Sequence, residues 1–204
     1  MSHPLDAMRA LERLLHGLAH DLSNPLSAVI GYTQLAAIEA DPARRAKYLD
    51  AVLSQAAAIK ASLNDLQLAA TTAPAQRESV ALGDVVALAA MGTAARVEGT
   101  ASFEVKGDRD ALVTALRKLI DNAGPTAVVR VVEGGLEVQD DGPGFTAEAL
   151  LRGCEPSFTT RRTGNGVGLG LPVALAVAER HGGTLELSNR REGGALVRLM
   201  LPRP

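Results

Sequence analysis

The residues best suited to chemistry lie in the run HDLSNPL, which extends from His20 to Leu26. Histidine titrates near neutral pH, so His20 can offer a neutral imidazole nitrogen as a nucleophile. Asn24 lies four residues further on, and on a helix it shares the face of His20. Pro25 has no N–H for the carbonyl of Asp21, so a helix through this run is expected to kink there.

Two other interpretations of this run are a solvated histidine on a helix face and a metal-binding pair. His16 and His20 have the i, i+4 spacing of zinc-binding helices. The residues between them are Gly17, Leu18 and Ala19, which include no glutamate base, and no third ligand is evident. On these residues alone the alternatives stay open.

Two long helices must position His20. Apolar or small residues recur at spacings of four and three, which is typical of a bundle seam: Leu11, Leu15, Leu18, Leu22, Pro25/Leu26, Val29, Thr33 and Ala36. His20 falls between two seam positions and is expected to point to solvent. The first helix is predicted from Leu5 to about Glu39. A second, N-capped by Asp41 with Pro42 at its first position, is predicted to reach about Ala70.

The apolar faces of these two helices exceed what two helices can cover. Two such hairpins can pair into a four-helix bundle, so a homodimer is expected.

The pattern changes after a polar, proline-containing stretch. Strands are predicted at 79–82, 101–105, 126–132, 136–140, 184–189 and 195–201, with helices at 83–91, 108–123, 147–151 and 168–180. This order indicates an α+β two-layer sandwich. We therefore divide the chain into a helical hairpin (1–73), a linker (74–77) and a second domain (78–204).

The composition excludes several classes of protein. The net charge is −2, and the 204 residues include two tyrosines, three phenylalanines and no tryptophan, which argues against a nucleic-acid surface. The single cysteine, Cys154, excludes an internal disulfide framework and fits a reducing cytoplasm. The first residues are too charged for a signal peptide, and no apolar run approaches the length of a membrane span. We expect a cytoplasmic protein.

Three patches of the second domain could hold a nucleotide. They are a helix whose last residues are Asp121, Asn122 and Ala123, the run DDGPG at 140–144 after a strand, and the run GNGVGLGLP at 164–172, which begins a helix. Glycines let backbone N–H groups approach a phosphate, and a helix N-terminus favours an anion. The chain has no GxxxxGK[ST] motif, and the glycine-rich run comes too late for a dinucleotide-binding fold.

Together these motifs resemble bacterial two-component sensor histidine kinases. HDLSNPL is similar to their phosphoacceptor box, and the region from about Glu78 to Pro204 is similar to their catalytic domain of the GHKL ATPase superfamily. The resemblance implies ATP and Mg²⁺ as cofactors. It also implies a homodimer that transfers phosphate to the receiver domain of a response regulator, with the signal supplied by a separate sensor protein or a longer chain.

The resemblance also implies roles for individual residues. His20 would carry the phosphate, Asp21 would hold its second ring nitrogen, and Asn24 would position water to dephosphorylate the regulator. Asn122 would bind Mg²⁺, and Asp141, in a run Asp141–Gly144 taken as the family's DxGxG motif, would accept a hydrogen bond from the adenine amine. The remaining nucleotide-binding residues would be Lys118, Gly142, Gly144, the lid residues Phe158, Thr159, Thr160 and Arg161, and Gly166, Gly168, Leu169 and Gly170 of the GxGLGL motif.

The chain departs from the family pattern at two places. Lys118 replaces an asparagine four residues before Asn122, and Cys154 and Ser157 replace two lid phenylalanines. These departures keep a second interpretation open, a phosphotransfer protein whose ATP domain no longer turns over. A third, a serine kinase acting on an anti-sigma partner, would have no use for HDLSNPL.

Overall fold

The structure is a computed structural model that describes residues 4–70, 78–99, 103–155, 158 and 168–202, without the side chains of residues 4–18, 20, 21, 69 and 70. The chain forms two compact units, and the boundary between them falls between Gln67 and Leu68. The first unit is helical and the second contains all the described strands.

The first unit is a helical hairpin built from α1 (Pro4–Ile38) and α2 (Pro42–Ala70). The helix α1 continues through Pro25. Asp41 caps α2 as predicted, because its Oδ1 accepts a hydrogen bond from the backbone N–H of Ala43 at 2.8 Å. Across the hairpin the rings of Tyr32 and Tyr48 stack with their centroids 6.3 Å apart.

The hairpin buries little of its apolar surface. Among its described side chains only Ala36 is a buried hydrophobic residue. Larger apolar side chains remain exposed, including Leu26 at 51%, Leu53 at 68% and Ile38 at 82%. The described part of the hairpin therefore has an open apolar face in the single chain.

The second unit is built on a five-stranded sheet. Its strands are β2 (Arg96–Glu98), β4 (Val128–Val132), β5 (Gly135–Gln139), β6 (Thr184–Asn189) and β7 (Ala195–Met200), in the order β2-β4-β5-β7-β6. The strand β2 pairs with β4 in parallel and the other neighbours are antiparallel. A separate antiparallel pair joins β1 (Glu78–Ala81) to β3 (Glu104–Gly107).

Helices cover one face of this sheet. They are α3 (Leu82–Ala90), α4 (Arg109–Ala123) and α6 (Gly170–Arg180), and the chain also has a short helix, α5 (Ala147–Arg152). Leu136 and Val138 of β5 and Leu199 of β7 pack in one core with side chains of α3, α4 and α6, including Val85, Leu112, Leu116, Leu119 and Val177. A helical N-terminal region followed by this sandwich confirms the predicted α+β class.

The opposite face of the sheet is polar. Successive residues of a strand alternate between faces, so Glu137 and Gln139 lie opposite Leu136 and Val138. Glu137 accepts hydrogen bonds from Arg130 at 3.4 Å and from Arg198 at 3.0 Å. Paired charges keep this face solvated, although Glu137 itself is largely buried.

Most predicted boundaries lie within a few residues of the observed ones, and three differences have a structural reason. The strand β2 was not predicted, because it has three residues and its pairing with β4 is long-range. The second predicted strand, at 101–105, begins later than predicted, at Glu104. Gly168 was assigned to the last helix, but its φ of 67° excludes it, and α6 begins at Gly170.

His181 ends α6 as predicted and also joins two helices. It is only 2% exposed. Its Nε2 accepts a hydrogen bond at 2.9 Å from the backbone N–H of Asp108, the residue that N-caps α4. The proton is therefore on Nδ1, which donates to the carbonyl of Val177 at 2.7 Å. The neutral ring fixes the end of α6 to the start of α4.

We predict that Gly107→Ala destabilises the second unit. A Cβ at Gly107 would lie 2.6 Å from Cδ2 and 2.8 Å from Nε2 of His181, a ring that is hydrogen-bonded at both nitrogens and cannot move aside. Such overpacking costs about 1–3 kcal/mol. Urea denaturation should report this loss. The matched control is Gly83→Ala, where nothing lies within 4 Å of the added atom. Equal stability of the two variants would contradict the prediction.

Candidate functional site

The first part of the candidate site is the meeting of α4 with the start of α6. Lys118 and Asn122 lie one turn apart near the end of α4, and both are half-buried. A Cβ at Gly170 would lie 3.8 Å from the carbonyl oxygen and 3.9 Å from the Cβ of Lys118. The helix that carries the predicted magnesium ligand therefore approaches the predicted phosphate loop at Lys118.

The start of α6 is suited to an anion. Gly168 adopts a positive φ, and Leu169, which is 3% exposed, anchors the turn in the core. The carbonyl of Leu169 accepts the N–H of Val173, so the first N–H groups of the helix have no partner within α6. Such groups bind phosphate oxygens well. The predicted residues Gly168, Leu169 and Gly170 lie together here, and Gly166 lies outside the described residues.

Asp140, which follows β5, is held by several backbone groups. Its Oδ1 accepts hydrogen bonds from the N–H groups of Gly142 at 2.8 Å and Ala195 at 3.1 Å. Its own N–H donates to the carbonyl of Ala195, and its carbonyl accepts from Nη1 of Arg190 at 2.8 Å. The carboxylate of Asp140 is therefore fixed, with Oδ2 as its second acceptor, whereas Asp141 is exposed.

The loop after Asp140 is shaped by Gly144 and clamped by Asn189. Gly144 has a φ of 76°, and a Cβ there would lie 2.7 Å from Oδ1 of Asn189. That oxygen accepts the N–H of Phe145 at 2.7 Å, and Nδ2 of Asn189 donates to the carbonyl of Phe145 at 2.9 Å. Gly142 and Gly144 thus lie in a turn with little conformational freedom.

Of the predicted lid residues, only Phe158 is described, and it makes one aromatic contact. Phe158 is half-buried, and the guanidinium of Arg152 lies 5.1 Å from the centre of its ring. Arg152 also forms ion pairs with Glu148 at 2.5 Å and Glu155 at 3.1 Å. These contacts raise the pKa of Arg152 above its usual value, and the hydrogen bond to Glu155 contributes most to this increase. Thr159, Thr160 and Arg161 lie outside the described residues.

The phosphoacceptor run lies on α1 of the first unit. His20 and Asp21 are within the helix, and their side chains, like that of His16 in the alternative metal pair, lie outside the description. Asn24 is exposed. The structure thus gathers the described nucleotide residues in the second unit and places the phosphoacceptor residues in the first.

Asp140 and Asn189 are candidate site residues that were not predicted from the sequence. The five-residue pattern DxGxG is satisfied by Asp140–Gly144 and not by a run that starts at Asp141. Counting the pattern in full could have identified Asp140. The clamp by Asn189 had no local signal, because Phe145 lies 44 residues away in sequence.

The residues present fit a magnesium ion only together with phosphates. Among the described residues no three histidine, cysteine, aspartate or glutamate side chains could hold a metal ion by themselves. Mg²⁺ commonly takes one or two protein oxygens and completes its shell with water and substrate phosphates. Asn122 can supply such an oxygen, one turn along α4 from Lys118, which lies beside Gly170.

These features define a class of protein, a two-layer ATP-binding domain preceded by a helical phosphoacceptor hairpin. Residues 10–74 match the His Kinase A (phospho-acceptor) domain, and residues 107–204 match the histidine kinase-, DNA gyrase B- and HSP90-like ATPase family. The chain belongs to the two-component sensor histidine kinases and contains their kinase core.

Individual relatives agree with this assignment. The C4-dicarboxylate transport sensor protein DctB of Pseudomonas aeruginosa is 29% identical over 95% of this chain and 36% of its own length. Sporulation kinase A of Bacillus subtilis is 30% identical over 94% of this chain and 34% of its own length. The chain thus spans about a third of these relatives.

Solved structures show the same fold. The histidine kinase AdeS of Acinetobacter baumannii superimposes with a TM-score of 0.63 at 22% identity, over 90% of this chain and 98% of that one. The mycobacterial sensor histidine kinase MprB gives a TM-score of 0.53 at 25% identity, over 63% of this chain and 99% of that one. No helix in the described residues has the length and apolar character needed to cross a membrane.

Proposed function

We propose that this chain phosphorylates itself on His20 with ATP and passes the phosphate to an aspartate of a response-regulator receiver domain. The observation that carries the proposal is the joint presence of HDLSNPL on α1 and an ATP-binding domain in which α4 approaches the start of α6 at Lys118 and Gly170 and backbone hydrogen bonds hold the Asp140 loop. The domain limits 1–73, 74–77 and 78–204, the homodimer and a cytoplasmic location belong to the same proposal.

In this reaction a neutral imidazole nitrogen of His20 attacks the γ-phosphorus of ATP. The bond from that phosphorus to the β,γ-bridging oxygen breaks, and ADP leaves with the electron pair. Asp21 holds the second ring nitrogen and takes up its proton as the ring becomes a phosphoimidazole. Mg²⁺, when bound, neutralises phosphate charge, and Asn122 would hold it.

We propose that Asp140, and not Asp141, reads the adenine. The two backbone N–H groups on Oδ1 orient its carboxylate and leave Oδ2 as an acceptor for the base amine. Phe158 with the lid residues Thr159, Thr160 and Arg161 would cover the nucleotide, and the glycines at 166, 168 and 170 would admit its phosphates.

The test of this function is the chemistry of the label. Incubation with [γ-³²P]ATP and Mg²⁺ should label the chain with a phosphate that is lost in acid and survives base, as phosphohistidine does. Acid-stable, base-labile label would identify a serine kinase instead. Absence of label with ATP still bound would favour the phosphotransfer protein.

The departure at Lys118 favours the phosphotransfer alternative, so we predict what Lys118 does. Lys118 stands where the family has asparagine and lies beside Gly170, so we expect its ammonium to contact the phosphates. Lys118→Ala should weaken ATP binding several-fold in calorimetry, and Lys118→Asn should change the Mg²⁺ dependence. Unchanged affinity and unchanged Mg²⁺ response in both variants would show that the departure is silent.

We also predict a phosphatase activity that depends on Asn24 and can be separated from autophosphorylation. It is exposed on α1 four residues from His20, where its amide can orient a water molecule toward the regulator's aspartyl phosphate. Asn24→Ala should slow dephosphorylation of the regulator about tenfold or more while autophosphorylation continues. The matched control is Ser27→Ala, another exposed position of α1. An equal fall in both activities would make Asn24 a structural residue.

A further inference from the structure

The polar face of the sheet contains a pocket whose arginines and glutamine have no role in the proposed kinase reaction. Its volume is about 370 Å³. It lies where β2 and β4 begin and β5 ends, next to the turn after β6. Three arginines line it, Arg96, Arg130 and Arg190, together with Gln139.

Gln139, one of the residues that line this pocket, has a buried donor without a partner among the described residues. The side chain is 8% exposed, and within the part of the chain that the structure describes its Nε2 has no hydrogen-bond partner. It pairs in register with Val128, another pocket residue, on the face opposite the helices. A buried amide N–H without a partner is unfavourable, so a ligand acceptor at this position would be stabilising.

The charges around the pocket leave one arginine available. Arg96 and Arg130 are both paired with Glu98, at 2.6 Å and 2.5 Å, and hydrogen bonding from Arg130 lowers the pKa of Glu98, which keeps that carboxylate ionised. Arg190 differs from them. Among the described residues it contacts no carboxylate, and its one described hydrogen bond goes to the neutral carbonyl of Asp140.

We propose that this pocket binds a small oxyanion, a phosphate or carboxylate group of a small molecule, through Arg190 and the amide of Gln139. A guanidinium can engage an oxyanion with two parallel N–H bonds, and the amide adds a third donor. Asp140 and Asp141 also border the pocket, so a compact anion held at the arginine side fits better than an extended one. This binding is separate from the kinase reaction.

The test is an NMR titration of the isotope-labelled chain with inorganic phosphate and, separately, with malonate. The chain is first saturated with Mg²⁺ and a non-hydrolysable ATP analogue, so that the nucleotide site cannot take up the probe. We expect saturable shifts of the Gln139 side-chain amide and of the backbone amides of Ala127 and Val128, with a dissociation constant of about 1–10 mM. Saturation by one probe identifies the source of the oxyanion, and saturation by both supports the shared chemistry.

Two variants and one control decide the outcome. Gln139→Leu and Gln139→Glu should weaken the probe about tenfold or more, as read at Ala127 and Val128, and leave affinity for the ATP analogue unchanged. Arg191→Gln removes one charge from the same turn outside the pocket and should have no effect. An equal loss in Arg191→Gln, unchanged binding in both Gln139 variants, or no saturation by either probe would overturn the proposal. Because nucleotide affinity is measured on the same samples, a failure here is distinct from a failure of the kinase.

Discussion

His20→Gln is expected to remove all transfer of label from [γ-³²P]ATP to the chain. Glutamine has no nitrogen lone pair that can attack phosphorus, since its amide nitrogen is conjugated with the carbonyl. The residue lies in α1, in the first unit, and the described nucleotide residues lie in the second, so affinity for ATP should be unchanged. Labelling and calorimetry on the same preparation measure the two quantities.

The control for this variant is His16→Gln, one turn earlier on α1. It should label like the unmodified chain, which would also exclude a role for the His16–His20 pair as a metal site. Persistent acid-labile label on His20→Gln would refute the assignment of the phosphoacceptor.

Asp140→Asn is expected to reduce affinity for ATP by about 1–3 kcal/mol, or roughly five- to 150-fold. The amide oxygen can keep both backbone hydrogen bonds from Gly142 and Ala195, so the loop should retain its shape. The NH₂ group then replaces Oδ2 and faces the adenine amine, donor against donor. The loss should therefore appear in nucleotide affinity and not in stability.

The matched control for Asp140 is its neighbour. Asp141→Asn removes the same charge one residue away, at an exposed position, and should change ATP affinity little. Calorimetry with an ATP analogue and with its guanine counterpart separates recognition of the base from general electrostatics. If Asp141→Asn gives the larger loss, the register of the motif begins at Asp141 and our reassignment fails.

Local chemistry was enough to predict the helices and hairpins around this site. Asp41 could be recognised as a cap from its type and the following proline, and it accepts the N–H of Ala43 as expected. The amphipathic pattern of α4 predicted its limits to within one residue, with Asp108 at its N-cap. In these cases the deciding contacts lie within four residues along the chain.

The features that escaped prediction depend on distant contacts. The three-residue β2 exists because it pairs with β4, about thirty residues later. Asn189 and Arg190 are ordinary polar residues in the sequence, and only the fold brings them to Phe145 and Asp140. The last helix was predicted to begin at Gly168, but the backbone dihedral of this residue prevents it, and the helix begins at Gly170.

Because the hairpin has an open apolar face, we expect its folding to depend on protein concentration. With Ala36 as the one buried hydrophobic residue among the described side chains of α1 and α2, a lone hairpin gains little hydrophobic free energy to offset its lost conformational entropy. When a second copy covers that face, ordering of the helices and association become one mass-action equilibrium. Dilution then shifts this equilibrium toward unfolded hairpins while leaving the ATP-binding domain, with its own core, intact. In the proposed homodimer, the number of copies in a cell would decide what fraction of His20 is presented on a helix.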